Sequence, residues 1–180
     1  MKKERIRAAH HEAGHCVVGY LLTKKIPNEV NIIKTKERLG MNKSDNSRSF
    51  KKMLDGIDNY EFTGFETEYQ FVAAFKTICC MLGGGVAEMM YCGLKRLPKN
   101  GMAGDYESVF EIGHRIFPVR FTKTGTAYYP ALESLIETCI HFLKGFVQGI
   151  DVGNKITVIA NALLEKEKLK RRELKDLLKD

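Results

Sequence analysis

Apolar residues recur at three- and four-residue steps along much of this chain, and that spacing is typical of helices with one buried face. A shorter apolar run at residues 30–35 predicts a strand. The run at 66–82 is the most apolar and should form the core, with Gly83 to Gly85 ending it because glycine weakens helices. Helices are predicted over residues 3–22, 49–54, 66–82, 86–92, 105–117, 132–147, 153–169 and 171–178.

The pattern therefore predicts a mainly α fold, an α+β arrangement with a minor β element. With 180 residues, 44% of them hydrophobic, the chain can bury a sizeable core. It contains no repeat and no Gly- or Ser-rich linker, so we predict a single domain over residues 1–180. We find no apolar run of about 18 residues and predict no transmembrane segment.

Cysteine usage and charge narrow the function classes. Five cysteines, an odd number without a C-x-x-C pair, do not suggest a disulfide framework, and no signal peptide is evident. These features predict a cytoplasmic protein. The net charge of +7 comes largely from the two ends, where basic residues alternate with acidic ones as on a solvated helix face. Nucleic-acid binding is therefore a minor hypothesis, since no nucleic-acid-binding motif accompanies the charge.

The residues His11, Glu12 and His15 form a pattern with a chemical meaning. Residues four apart lie on one face of a helix, so His11 and His15 can direct ring nitrogens at one zinc ion. Glu12 then reaches the water that zinc activates and can act as general base. The alternative is a solvated helix with two surface histidines.

The surroundings favour the zinc hypothesis. An apolar stripe runs along residues 6–21, and the two histidines lie beside it. At that position their rings would be half-buried, which is unfavourable for an imidazole without a partner. Gly14 inside a helix suggests close approach of another backbone or of a ligand. His10 should point away from the pair.

A tetrahedral zinc site needs a third protein ligand. The motif that places a further His six residues after the second one fails here, because that position is Leu21. The ligand must come from later in the chain. His141 is a weaker candidate because it lies in an apolar helical run, where a buried core histidine is the expected role. The main candidates are Glu88, Asp105, Glu107, Glu111 and His114.

Several blocks of the sequence resemble the peptidase domain of the FtsH-type ATP-dependent zinc metalloproteases. Residues 9–19 (AHHEAGHCVVG) resemble the zinc helix of that family, and residues 30–33 with 39–41 (VNII, LGM) resemble its strand and the turn that follows. The family's later blocks are matched by residues 82–88 (LGGGVAE), 101–106 (GMAGDY) and 162–169 (ALLEKEKL). The resemblance covers almost the whole chain.

This resemblance implies a compact helical zinc-metallopeptidase domain with a short strand or small sheet beside the zinc helix. It implies that Asp105 is the third zinc ligand and that Glu88 accepts the second ring N–H of a ligating histidine. Asp105 would begin a helix, where the alternative role is an ordinary N-cap. For Glu88 a structural role is the alternative. The free edge of strand 30–35 would hold an extended peptide.

The chain also departs from the family. It has no Gly-x-x-x-x-Gly-Lys-Ser/Thr sequence and little length before the zinc helix, so no ATPase module is expected. Gly85 replaces the arginine of the glycine block, Met89 replaces a glutamate, and residues 43–65 form a longer connection. We predict a zinc metalloendopeptidase that cleaves extended polypeptides without ATP, with a motor subunit in trans or a homo-oligomer as possible assemblies. The main rival is a catalytically silent adaptor or interaction domain of the same fold, either with or without bound zinc.

Overall fold

The computed structural model is mainly helical, which confirms the predicted fold class. It describes residues 2–34, 39–43, 68–98, 102–117, 120–121, 123–124, 127–128 and 130–179. The helices are α1 Lys2–Thr23, α2 Glu68–Tyr91, α3 Ala103–Ile116, α4 Pro130–Gln148, α5 Ile150–Lys166 and α6 Arg171–Lys179. The strands are β1 Glu29–Lys34, β2 Leu39–Lys43, β3 Arg120–Phe121, β4 Ala127–Tyr128 and β5 Lys168–Lys170. The predicted helix at 49–54 and the connection at 44–65 lie outside the described residues.

The core lies where α1 packs against α2 on one side and α5 on the other. Both partners of α1 present fully buried apolar side chains, among them Ile78 and Leu82 on α2 and Ile159 and Leu163 on α5. Helix α4 covers α2 and α5. The first helix, which carries the candidate zinc residues, is therefore enclosed by the rest of the fold.

Helix α2 does not end at Gly83–Gly85, so that prediction was wrong. It continues to Tyr91 because Gly83 and Gly84 form a close contact with α1, while Gly85 contacts Met102. A Cβ added at Gly14 of α1 would lie 2.5 Å from Ala87 Cβ and 2.6 Å from Gly83 O, which is the close backbone approach expected of Gly14. Buried helix packing here offsets the intrinsic cost of glycine.

The small sheet has the order β2-β1-β5, and each pair is antiparallel. Val30 of β1 lies opposite Asn42 on one side and Leu169 on the other. The expectation that β1 offers a free edge was therefore wrong. Residues 39–41, expected as a turn, begin β2 instead.

The end of α5 also differs from the prediction. The helix stops at Lys166, where Glu167 takes a left-handed conformation with φ of 62°. Leu169 then enters the sheet and is fully buried. Burial of one leucine in the sheet overrides the helical tendency of residues 165–169.

Among the helices that the structure describes, one has the length and composition of a membrane span. The segment Phe71–Tyr91 of α2 is apolar enough, although 56% of its most apolar window is buried inside the protein. From the sequence alone we find no apolar run of about 18 residues and predict no transmembrane segment. This helix packs against α1 and α4, and a buried core helix has the same apolar composition. The composition of α2 is therefore weak evidence for a membrane span.

Candidate metal centre

Helix α1 places two imidazoles next to each other. The Nε2 atoms of His11 and His15 are 3.1 Å apart, as the spacing of four residues on one helix face allows. His11 is buried and His15 is half-buried. His10 lies outside this pair, as expected: its Nδ1 donates to the carbonyl of Ile6 at 2.9 Å, and its ring stacks on that of Tyr91.

Helix α3 brings a carboxylate to the same point. Asp105 Oδ2 lies 3.3 Å from His11 Nε2 and 3.3 Å from His15 Nε2. The helix begins at Ala103, so Asp105 is in its first turn and is not the N-cap that the sequence suggested. In this position the carboxylate can face the two histidines.

The other ring nitrogen of each histidine faces an acceptor on α2. His11 Nδ1 is 3.1 Å from Glu88 Oε2, and His15 Nδ1 is 2.8 Å from the carbonyl oxygen of Cys80. A carboxylate and a carbonyl can only accept, so both Nδ1 atoms carry hydrogen. In the neutral imidazoles each Nε2 then has a lone pair directed toward the other and toward Asp105.

Three electron-pair donors at 3.1–3.3 Å repel one another unless a cation lies among them. Asp105 Oδ2 is buried and has no partner with hydrogen-bond geometry, despite its closeness to both rings. Zinc bonds of about 2.0–2.2 Å in a tetrahedron place ligand atoms roughly 3.3–3.6 Å apart. The two distances of 3.3 Å to Asp105 match this separation, and the distance of 3.1 Å between the two Nε2 atoms is slightly shorter. The donor set of two imidazoles and one carboxylate also fits zinc.

The pKa shifts show the same accumulation of negative potential. Burial lowers the pKa of His11, but the carboxylates of Asp105 and Glu88 outweigh it and raise the pKa to about 10. Burial by itself would lower the pKa of His15 as well, but that pKa is also raised, chiefly because of Asp105. Burial alone would raise the pKa of Asp105, yet the charge of His15 and the contacts with both rings hold it well below its usual range. The site therefore attracts positive charge, whether protons or a metal ion.

Glu12 lies on the same helix and is buried, with 6% of its surface exposed. Its negative charge contributes to the raised pKa values of both histidines, which places it within electrostatic reach of the cluster. Burial and the charge of Glu12 raise the pKa of the neighbouring Cys16 thiol to about 12. Cys16 is thus a neutral buried thiol. All five cysteines are unpaired, with three buried and two half-buried.

Glu107, Glu111 and His141 do not join the cluster. Glu107 and Glu111 are exposed on α3, and the side chain of His114 lies outside the described residues. His141 is exposed on α4, so its expected place in the core was wrong. Across the described ranges, His11, His15 and Asp105 are the one group of three side chains placed to hold a metal ion.

Gly84 forms the wall of the site opposite the histidines. A Cβ added there would collide with His15 Nε2 and Cδ2 and would lie 2.9 Å from His11 Cδ2. Sequence reasoning missed this role, and it also missed the carbonyl of Cys80 and the side chain of Arg7, which binds Glu88 at 2.6 Å. The uninterrupted glycine run at 83–85 was the available signal, but it was interpreted as a helix end.

No family model matches the chain. Among curated proteins it is similar to the ATP-dependent zinc metalloprotease FtsH 2 of Thermoanaerobacter sp. (strain X514), with 26% identity over 187 aligned positions. The chain is similar to an FtsH protein. The alignment covers 98% of this chain and 33% of that relative, so the chain spans about a third of the relative's length.

Proposed function

We propose that this chain is a zinc-dependent metalloendopeptidase. The observation that carries the proposal is the convergence of His11 Nε2, His15 Nε2 and Asp105 Oδ2 within 3.1–3.3 Å, with both Nδ1 atoms already bound to acceptors. The similarity to a zinc metalloprotease supports the choice of metal and reaction. The catalytically silent adaptor remains the outcome to exclude by experiment.

His11, His15 and Asp105 would hold the ion, and Glu88 would fix the ring of His11. Zinc supplies a Lewis acid that lowers the pKa of water to about 7 and polarises a carbonyl. Glu12 accepts a proton from the attacking water as the new C–O bond forms. It then returns that proton to the amine nitrogen as the C–N bond breaks, so it acts in turn as base and acid.

We propose unfolded or extended polypeptides as the substrates. Because β1 is paired on both sides, an extended peptide would instead add to an outer strand of the sheet. Of the two outer strands, β2 is the one that packs against α1. The sequence within these 180 residues has no phosphate-binding Gly-x-x-x-x-Gly-Lys-Ser/Thr loop, and we propose that this chain cleaves without ATP. We also propose a cytoplasmic location and, as possible assemblies, a motor subunit in trans or a homo-oligomer.

The zinc-loaded chain should cleave an unfolded protein such as casein and leave a compact folded domain intact. ATP should not change either rate, and a zinc chelator should abolish cleavage. The test is product formation from both substrates, each with and without ATP and chelator. Degradation of the folded domain that needs ATP would mean that a motor is recruited. A zinc-loaded chain that cleaves neither substrate would instead support the silent adaptor.

A further inference from the structure

Arg7 lies one helical turn before His11 on α1, and both residues bind the same carboxylate. Arg7 Nε donates to Glu88 Oε1 at 2.6 Å, while Glu88 Oε2 is 3.1 Å from His11 Nδ1. Residues at positions i and i+4 of one helix thus hold the two oxygens of one side chain from α2. Both oxygens of Glu88 are engaged, so its carboxylate plane is fixed from two points.

Because Glu88 is buried, both of its carboxylate oxygens need a hydrogen-bond partner. The Glu88 side chain is only 4% exposed, whereas that of Arg7 is 36% exposed. A buried carboxylate is costly unless it is paired and hydrogen-bonded. In the described part of the chain, Arg7 is the one partner of Oε1, so without it that oxygen would be buried and unsatisfied. The carboxylate could then rotate or take up a proton.

The two histidines differ in what holds their rings. The Nδ1 of His15 donates to a backbone carbonyl of α2, which is fixed by the helix itself. The Nδ1 of His11 donates to a side chain that has rotatable bonds. The orientation of His11 therefore depends on whatever restrains Glu88, and Arg7 provides that restraint.

We propose that Arg7 is a positioning residue of the metal centre, which holds Glu88 so that His11 Nε2 points toward His15 and Asp105. This inference rests on the proposed function, because it assumes that the cluster binds zinc. Arg7 does not contact the reacting groups. It acts through Glu88 on a ligand, and groups of this kind typically contribute roughly 10- to 100-fold to metal affinity.

The test is zinc affinity of the full chain, measured by competition with a chromophoric chelator, for Arg7→Met and for Arg5→Met as its matched control. Arg5 lies on the same helix but pairs with Glu167 and the carbonyl of Leu164, away from the site. We expect Arg7→Met to weaken zinc binding by about 10-fold or more. Arg5→Met should stay within about twofold of the parent, because exposed ion pairs contribute little.

The direction of the change in zinc affinity shows whether Arg7 acts by positioning Glu88 or through its own positive charge. Removing a positive charge near a cation site would by itself strengthen zinc binding, so a fall in affinity requires the loss of orientation. In a Glu88→Gln background, Arg7→Met should add at most about a twofold loss, since the two residues act as one unit. Arg7→Lys should retain part of the affinity through a single donor.

Three results would overturn the proposal: unchanged affinity in Arg7→Met, equal losses in Arg7→Met and Arg5→Met, or full additivity with Glu88→Gln. If Arg7→Met does not fold, Arg7→Lys against Arg5→Lys decides, and equal affinity of these two overturns it as well. A parent chain that binds no zinc would overturn the proposed function itself. A parent that binds zinc with Arg7→Met unaffected removes only this inference.

Discussion

Replacing Glu12 by glutamine should lower peptide hydrolysis by about 10²- to 10⁴-fold while the zinc content stays at the parental level. The amide keeps the size and shape of the carboxylate, but it cannot accept the proton of the attacking water. Glu12 is buried beside the two histidines, so bulk water cannot take over its role as the proton acceptor. The measurement is the initial rate of casein cleavage together with metal analysis of the same preparation.

A variant that cleaves casein at the parental rate would show that Glu12 is not the base. Loss of zinc together with activity would instead mean that Glu12 holds the metal site together. Glu165→Gln is a suitable control, because this substitution has the same chemistry on α5, away from the cluster, and should leave both quantities unchanged.

Replacing Gly84 by alanine should remove most of the zinc affinity, with a loss at least as large as the roughly 10- to 100-fold seen when a group that orients a ligand is disturbed. The new methyl group would occupy the position of the His15 ring edge. That ring cannot move aside without breaking its hydrogen bond to the carbonyl of Cys80. Zinc affinity and thermal unfolding of the same variant provide the test.

Gly145→Ala is the matched control for this substitution. Gly145 lies within α4, and a Cβ added there meets nothing within 4 Å. Alanine should therefore stabilise the protein by about 0.5–1 kcal/mol through helix propensity and leave zinc binding intact. Parental zinc affinity in Gly84→Ala would show that Gly84 does not limit the space around the His15 ring.

The elements that sequence could predict are those whose signal is local. The first helix follows from its apolar period, and the spacing of His11 and His15 places both rings on one face of it. Asp105 is separated from these residues by about ninety positions, so the residues alone made it one of five main candidates and only the resemblance to known zinc peptidases selected it. The structure brings it within 3.3 Å of both rings.

The features that sequence missed depend on contacts between elements. A run of glycines predicts a helix end when it is considered alone, yet Gly83 and Gly84 stay helical because α1 packs on them. The carbonyl of Cys80 has no side-chain signal at all. Leu169 enters the sheet beside β1 because that strand offers a buried partner, and this pairing also removes the free edge that was expected there.

The metal centre is tested most directly by the zinc content of the purified chain after dialysis, measured by elemental analysis for the parent, His15→Ala and Asp105→Ala. We expect about one zinc per parent chain and loss of most of it in both variants, because two remaining ligands rarely hold zinc against buffer. Retention of one zinc per chain in both variants would contradict the assignment of His11, His15 and Asp105 as the metal centre.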